Sequence, residues 1–275
     1  MSLLSLTPAG ATCEAWYDAY DRSTVTLDGT RITAVADKSG GTAYDLTNSD
    51  GTAARHPTYS EADGALEYRS SEHSDQYLSH GTFDPDTTEI TFFFSYTSTG
   101  DAASFLTVVQ DNASSYGDWG VRMSTVGSSE TTGNIKYYLG RSESGSVNIN
   151  NAWNTGLKRV LTFTHANATN TSRLRLVGHT STTTTAVTQL NETVVTDEAN
   201  NMEGTGEAGL LVGGRPDAGW PDSIDVNIHE IAIFNKYMTE ADAAPIEEYL
   251  LNHGPPKAPA QSPPSMGLGI KSRRG

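Results

Sequence analysis

The chain has 275 residues, 36% of them apolar, a net charge of −15, a pI near 4.7 and one cysteine. That charge excludes duplex nucleic acid as a partner and disfavours anionic membrane surfaces. A lone Cys13 excludes an intrachain disulfide and a thiolate metal centre, and no run reaches the ~18 apolar residues of a membrane-spanning helix.

The first residues, Met1-Ser-Leu-Leu-Ser-Leu-Thr-Pro, lack the basic start and long apolar core of a secretory signal. Residues 1–13 are read as an N-terminal arm, with Cys13 as a small buried hydrophobe beside an apolar segment. Strand signals then recur at short spacing. They run through Leu66-Glu-Tyr, Gln76-Tyr-Leu, Glu89-Ile-Thr-Phe-Phe-Phe-Ser-Tyr and Phe105-Leu-Thr-Val-Val-Gln. Further signals are Asp118-Trp-Gly-Val-Arg-Met, Ile135-Lys-Tyr-Tyr-Leu, Lys158-Arg-Val-Leu-Thr-Phe-Thr and Ser172-Arg-Leu-Arg-Leu-Val-Gly. In the last, Leu174 and Leu176 alternate with Arg173 and Arg175, the pattern of a sheet with one face in a core. Two punctuated stretches, 124–134 and 181–192, are expected as long loops, the second with the option of an exposed edge strand.

Near the end, Ile224, Val226 and Ile228 share one parity while Ile231 and Ile233 take the other. One ideal strand cannot send both sets to the same core. Either a β-bulge near His229-Glu230 shifts the phase, or both faces are buried there. A helix is expected from Thr239 to about Asn252, with Thr239 as N-cap, Asp242 near the third position, and Ile246, Leu250 and Tyr249 on its buried stripe. Pro245 is expected to separate its first turn from the rest. Residues 255–275 hold five of the eleven prolines, four of the 18 basic residues and no acid, so this segment carries +4 and the body −19. It is read as a Pro-rich basic tail that cannot fold alone.

The two ends carry a resemblance. Trp16-Tyr-Asp, Val25, Leu27, Asp37-Lys-Ser-Gly and Asp45-Leu at the start, with Val212-Gly-Gly-Arg and Ile228-His-Glu-Ile-Ala-Ile-Phe-Asn at the end, resemble a laminin-G-like domain of the concanavalin A-like lectin/glucanase superfamily, of the kind found in tailed-phage structural proteins. The resemblance implies an all-β fold over residues 14–254: an antiparallel two-sheet β-sandwich, a concanavalin A-like jelly roll, with one short C-terminal helix and an extended tail.

The superfamily includes β-glucanases, whose strand carries Glu-x-Asp-x-x-Glu. The nearest match is Asp225-Val-Asn-Ile-His-Glu230, with Asp for the first Glu and Asn227 for the central Asp. Asn227 cannot serve as an ionised helper, which argues against a retaining glycosidase. The seven histidines show no metal-ligand spacing and are expected at surfaces and turns. Sugar recognition needs aromatic faces and planar polar groups, which two loop clusters supply. These are Tyr116, Asp118 and Trp119, and Arg215, Asp217, Trp220 and Asp222. A loop Trp capping the sandwich is the plainer account of each. Asp217 and Asp222 also suit Ca²⁺, the one cofactor considered.

The function expected from this reading is non-enzymatic: a virion structural protein, as a capsid decoration or fibre/tail component, with a lectin-like domain for host surface glycans. Its partners would be other virion structural proteins such as the major capsid protein, and further copies of itself in a homo-oligomer. Met266, Leu268, Ile270, Lys271, Arg273 and Arg274 would dock the tail. The alternatives are a free carbohydrate-binding module or adhesin, and a β-glucanase-like glycosidase.

Overall fold

The computed structural model describes residues 1–48, 52–69, 76–81, 83, 88–98, 105–107, 109–111, 121–129, 132–139, 142–148, 156–180, 187–196, 208–213 and 226–254; at 98, between 105 and 148, and at 208 it describes the backbone alone. The strands up to the middle of the chain are β1 (Cys13–Asp18), β2 (Val25–Asp28), β3 (Arg31–Val35), β4 (Leu46–Thr47), β5 (Thr58–Ser60), β6 (Ala65–Tyr68), β7 (Tyr77–His80), β8 (Glu89–Ser98) and β9 (Phe105–Thr107). The rest are β10 (Val109–Asp111), β11 (Val121–Ser129), β12 (Thr132–Leu139), β13 (Ser142–Asn148), β14 (Lys158–Ala166), β15 (Thr171–Gly178), β16 (Thr188–Val195), β17 (Ala208–Gly213) and β18 (Val226–Phe234), followed by helix α1 (Glu240–Asn252). No helix among the described residues is long and apolar enough to cross a membrane.

All the pairings are antiparallel. One hydrogen-bonded path runs β10-β17-β7-β4-β3-β5-β6-β18-β8-β14-β15-β16, and a second sheet runs β13-β12-β11-β9. The long path turns over on itself at β5, which meets β3 through the single pair Arg31↔Thr58. Its two arms then face each other. Phe92, Phe94, Phe163, Leu174 and Ile231 from one arm share a core with Ile32, Leu46, Leu78, Leu210 and Val212 from the other. The result is the expected all-β sandwich.

Period-2 alternation decides which residues fill this core. Phe92, Phe94 and Tyr96 of β8 point inward, while Phe93 points to the opposite face. That outer face is covered too. Helix α1 lies on it, and Phe93, Val160, Ala232, Phe234, Ile246 and Leu250 form a second cluster with Cys13 and Leu3. Each fully buried large side chain there contributes roughly 1.5–3 kcal/mol. Burial also pushes the Cys13 thiol far up, so it behaves as the small hydrophobe expected.

Helix α1 starts as its sequence dictates. Thr239 Oγ1 accepts from the Asp242 amide, and the Asp242 carboxylate accepts from the Thr239 amide, closing a capping box. Thr239→Ala is expected to cost about 1 kcal/mol of stability, read as a lower denaturation midpoint. Pro245 does not divide the helix, which is continuous through it. Pro245 and Ala241 are both exposed, so water can take the Ala241 carbonyl that the missing N–H would have bonded.

Two further expectations change. Residues 124–129 and 132–134 are not loop but belong to the paired strands β11 and β12, with Thr125 opposite Ile135 and Lys136 opposite Ser124. The option of an edge strand holds for the polar run 188–195, which forms β16 at the end of the long path. Arg173 and Arg175 do not line a wet face. They are buried beneath α1, where Arg175 Nε lies 3.2 Å from Glu247 Oε2 and Arg173 Nη2 donates to the Met238 carbonyl at 2.7 Å.

Candidate active site

The phase conflict in β18 is resolved by a bulge. The register against β8 shifts between Ile228 and Glu230. Val226 and Ile228 before it, and Ile231 and Ile233 after it, all reach the inner core. The extra residue puts His229 and Glu230 together on the outer face. That face lies beside the C-terminal end of α1, where Ser95 Oγ donates to the Leu250 carbonyl at 3.3 Å.

Glu230 is the centre of what gathers there. Asp18 of β1 is its cross-strand partner. Trp16 Nε1 donates to Glu230 Oε2 at 3.2 Å, and His253 Nδ1 to Oε1 at 2.9 Å. One carboxylate oxygen each of Asp18 and Glu230 and one ring nitrogen of His253 all lie within 4.8 Å of one another. The two carboxylates are buried, while the His253 side chain is 32% exposed and opens the cluster to solvent. Burial pushes the Glu230 carboxyl up, against the opposing pull of His253. The hydrogen bond to Glu230 in turn holds the His253 imidazole above its ordinary value. The pair therefore keeps a proton at a pH where each group alone would have released it.

Lysines close the cluster on both sides. Lys38 Nζ donates to Asp18 Oδ2 at 2.8 Å and to Asp21 Oδ2 at 2.9 Å, and sits 4.5 Å from the centre of the Trp16 ring. Lys158 Nζ donates to the His253 carbonyl at 2.7 Å and lies 4.8 Å from the centre of the Tyr20 ring. Although two carboxylates and an imidazole are a donor set that could take a cation, the ammonium of Lys38 already neutralises Asp18. The arrangement is that of an ion-paired proton-handling cluster.

Tyr20 fixes the geometry. Its ring stacks on His229 at 5.2 Å with a 6° tilt, and meets His253 edge-on at 5.4 Å. It fits only because Gly64 and Gly254 carry no side chain: a Cβ would come within 2.5 Å and 2.3 Å of the ring respectively. His229 is held neutral, its pKa pulled down to about 3 by burial and by the charge of Lys158. Its Nε2 pairs with the Thr97 hydroxyl at 2.9 Å. Asn227 lies on the same face, where it accepts from Arg69 at 2.6 Å and donates to Asp63 at 3.4 Å.

The family-like residues at the N-terminus belong to this knot. Asp37 accepts from the backbone of Trp16, Ser39 and Tyr44, which explains Asp37-Lys-Ser-Gly as a turn that delivers Lys38. The sequence-predicted ligand residues Tyr116, Asp118, Trp119, Arg215, Asp217, Trp220 and Asp222 lie outside the described residues. So do Asp225 and the docking residues Met266, Leu268, Ile270, Lys271, Arg273 and Arg274. The histidines are not all surface residues: His56, His165 and His229 are buried, each with polar partners. Sequence reasoning singled out Glu230 but missed Asp18, Lys38, Lys158 and His253 as its companions. The opposed parities of residues 224–233 held the one signal, since a bulge is what places Glu230 here.

No family model matches the chain, and no curated protein matches it. Solved structures do match in fold. An arabinofuranosidase complexed with arabinofuranosyl-α-1,2-xylobiose superposes with a TM-score of 0.57 at 12% identity, over 91% of this chain and 65% of that one. A GH54 α-L-arabinofuranosidase soaked with a cyclic sulfate inhibitor gives 0.56 at 12% identity over the same shares. A Trypanosoma rangeli sialidase in complex with 2,3-difluorosialic acid gives 0.51 at 10% identity, over 89% of this chain and 33% of that one. The chain thus spans just under two thirds of the arabinofuranosidases and one third of the sialidase. At these identities the likeness establishes the sandwich fold alone.

These neighbours correct the expected function. A non-enzymatic virion structural protein was inferred by passing from a sandwich resemblance to a capsid role. The three solved sandwiches named above are glycosidases, and a sandwich fold by itself gives no ground for a capsid role. The physical error lay in reading Asp225, Asn227 and Glu230 as one linear motif. The partner of Glu230 is Asp18, 212 residues away in sequence and directly opposite it in the sheet.

Proposed function

We propose that the chain is a carbohydrate-active enzyme, a glycoside hydrolase whose carboxylate pair is Asp18 and Glu230. The observation that carries this reading is the placement of both carboxylates within 4.8 Å of each other on neighbouring, hydrogen-bonded strands, beside a partly exposed histidine. Retaining hydrolysis uses two carboxyl groups about 5 Å apart, one a nucleophile and one a general acid. The glycosidases that share the fold support it.

Asp18, paired with Lys38 at 2.8 Å, is the nucleophile. Its oxygen bonds to the anomeric carbon as the bond to the leaving oxygen breaks. Glu230, whose carboxyl is pushed up by burial, gives that oxygen its proton. Glu230 then takes a proton from water, whose oxygen attacks the same carbon and releases Asp18. His253 holds Glu230 in place through its hydrogen bond at 2.9 Å, and Tyr20 and Tyr249 flank His253 with aromatic rings. The laminin-G-like resemblance of the two ends belongs to this reading as a proposal about subfamily.

The test is a panel of chromogenic glycosides, α-L-arabinofuranosides and sialosides among them, with β-glucans alongside. Turnover of at least one class is expected. Folded protein that releases nothing from any of them would overturn the reading.

A further inference from the structure

We propose that Trp16 is a positioning residue that decides which oxygen of Glu230 carries the transferable proton. The catalytic use of that proton rests on the hydrolase reading; its placement does not.

Trp16 stands on β1 with its indole on the outer face, 5% exposed and packed in the cluster that α1 covers. Its backbone is pinned on both sides. The amide donates to Asp37 Oδ1 at 2.9 Å, and the carbonyl accepts from the Lys38 amide at 2.8 Å. The Lys38 ammonium, 4.5 Å from the ring centre, holds the face of the indole as well. The ring so fixed presents its Nε1 to Glu230 Oε2 at 3.2 Å.

The two oxygens of Glu230 therefore meet different partners. An indole N–H donates and never accepts, whereas an imidazole nitrogen does either, according to its proton. Oε2 faces the indole, and Oε1 faces His253 Nδ1 at 2.9 Å. A proton on Oε2 would set two hydrogens against each other in one contact. A proton on Oε1 meets a nitrogen able to accept it. Oε1 is thus the oxygen that takes up and gives away the proton, and Oε2 is the fixed acceptor. The other titratable groups facing Glu230 are Asp18 of β1, Lys158 of β14, Tyr20 after β1 and Tyr249 of α1, with His229 before it on β18. Among the described residues the indole is the one donor to Oε2, so it is the group that sets this asymmetry.

The experiment follows the Trp16 indole N–H across pH in proton–nitrogen correlation spectra of the full chain. The four tryptophans give four such signals. Trp16→Phe, which keeps an aromatic ring in the cluster, identifies the relevant one by its loss. That signal is expected to move upfield as the pH falls and Glu230 takes up its proton, since a neutral carboxyl is a weaker acceptor than a carboxylate. Glu230→Gln should flatten the movement, because a Gln carbonyl accepts without titrating. With a glycoside that the wild type turns over, Trp16→Phe should lower kcat about tenfold at unchanged KM. It should also move the basic limb of the pH profile up, because the Glu230 anion loses a donor. A Trp16 signal that stays in place as the pH changes, or that keeps moving in Glu230→Gln, would overturn the proposal. So would a wild-type kcat in folded Trp16→Phe. Absence of turnover in the wild type counts against the hydrolase reading instead, and the indole signal then decides where the proton sits.

Discussion

Glu247→Ala is expected to lose about 3 kcal/mol of folding stability, seen as a shift of the denaturant midpoint. Glu247 projects from α1 onto the outer face of the sheet and is fully buried. It accepts from Thr162 Oγ1 at 2.7 Å and lies 3.2 Å from Arg175 Nε. Burial pushes its carboxyl up, and the hydroxyl and guanidinium hold it down. Removing the carboxylate leaves Arg175 beneath the helix with the exposed Glu240, at 2.7 Å, and the charge of its cross-strand neighbour Glu192 to compensate it. An uncompensated buried charge costs more than the pair ever contributed. Glu247→Gln should lose less, since its amide oxygen can still accept from Thr162. Glu248→Ala, on the exposed side of the same helix, should change stability by less than about 0.5 kcal/mol. A loss below about 1 kcal/mol in Glu247→Ala would mean that the helix does not depend on this network.

Acidification should act through His229. The unfolded chain takes up a proton on this residue as the pH falls through ~6.5. The folded chain resists until about pH 3, because the ring is buried against Tyr20 and beside Lys158. The unfolded state therefore binds more protons across that window, and stability falls as the pH falls. From pH 6.5 to pH 4 the loss from this residue is about 3 kcal/mol. Glu230 and His253 act in the opposite sense, since both hold protons more tightly when folded. The test is the difference between the wild type and His229→Gln, followed by denaturation at a series of pH values. The variant should lose less stability on acidification. Parallel curves would show that His229 is not held neutral.

The fold was largely legible because alternation is a local signal. Phe92, Phe94, Leu174 and Leu176 announce an inner face by parity alone, and Thr239 with Asp242 announces the start of the helix. What lay hidden depended on a second layer. Arg173 and Arg175 alternate as a wet face would, yet α1 covers them, and nothing in their own strand says so. The pairing of β11 with β12 was obscured because the residues from Ser124 to Asn134 are mostly polar or Gly, and because its register shifts between Val126 and Ser129.

The site was legible only in part. The bulge at His229-Glu230 was one of two outcomes that the clash of parities between Ile228 and Ile231 left open, and Glu230 stood out as the last acid of the glucanase-like match. Its partner did not. Asp18 meets Glu230 only because β1 pairs with β18, and a contact between the first and last strands has no local signature. The same holds for Lys158 and His253, which reach the cluster from β14 and from the end of α1.

The measurement that tests the account most directly is turnover of the best glycoside by the wild type, Asp18→Asn and Glu230→Gln, each checked for an unchanged far-ultraviolet spectrum and cooperative unfolding. The account predicts that both folded variants lose activity by about 10²–10⁴-fold. Full activity in either folded variant would contradict it, and would place any chemistry elsewhere on the sandwich.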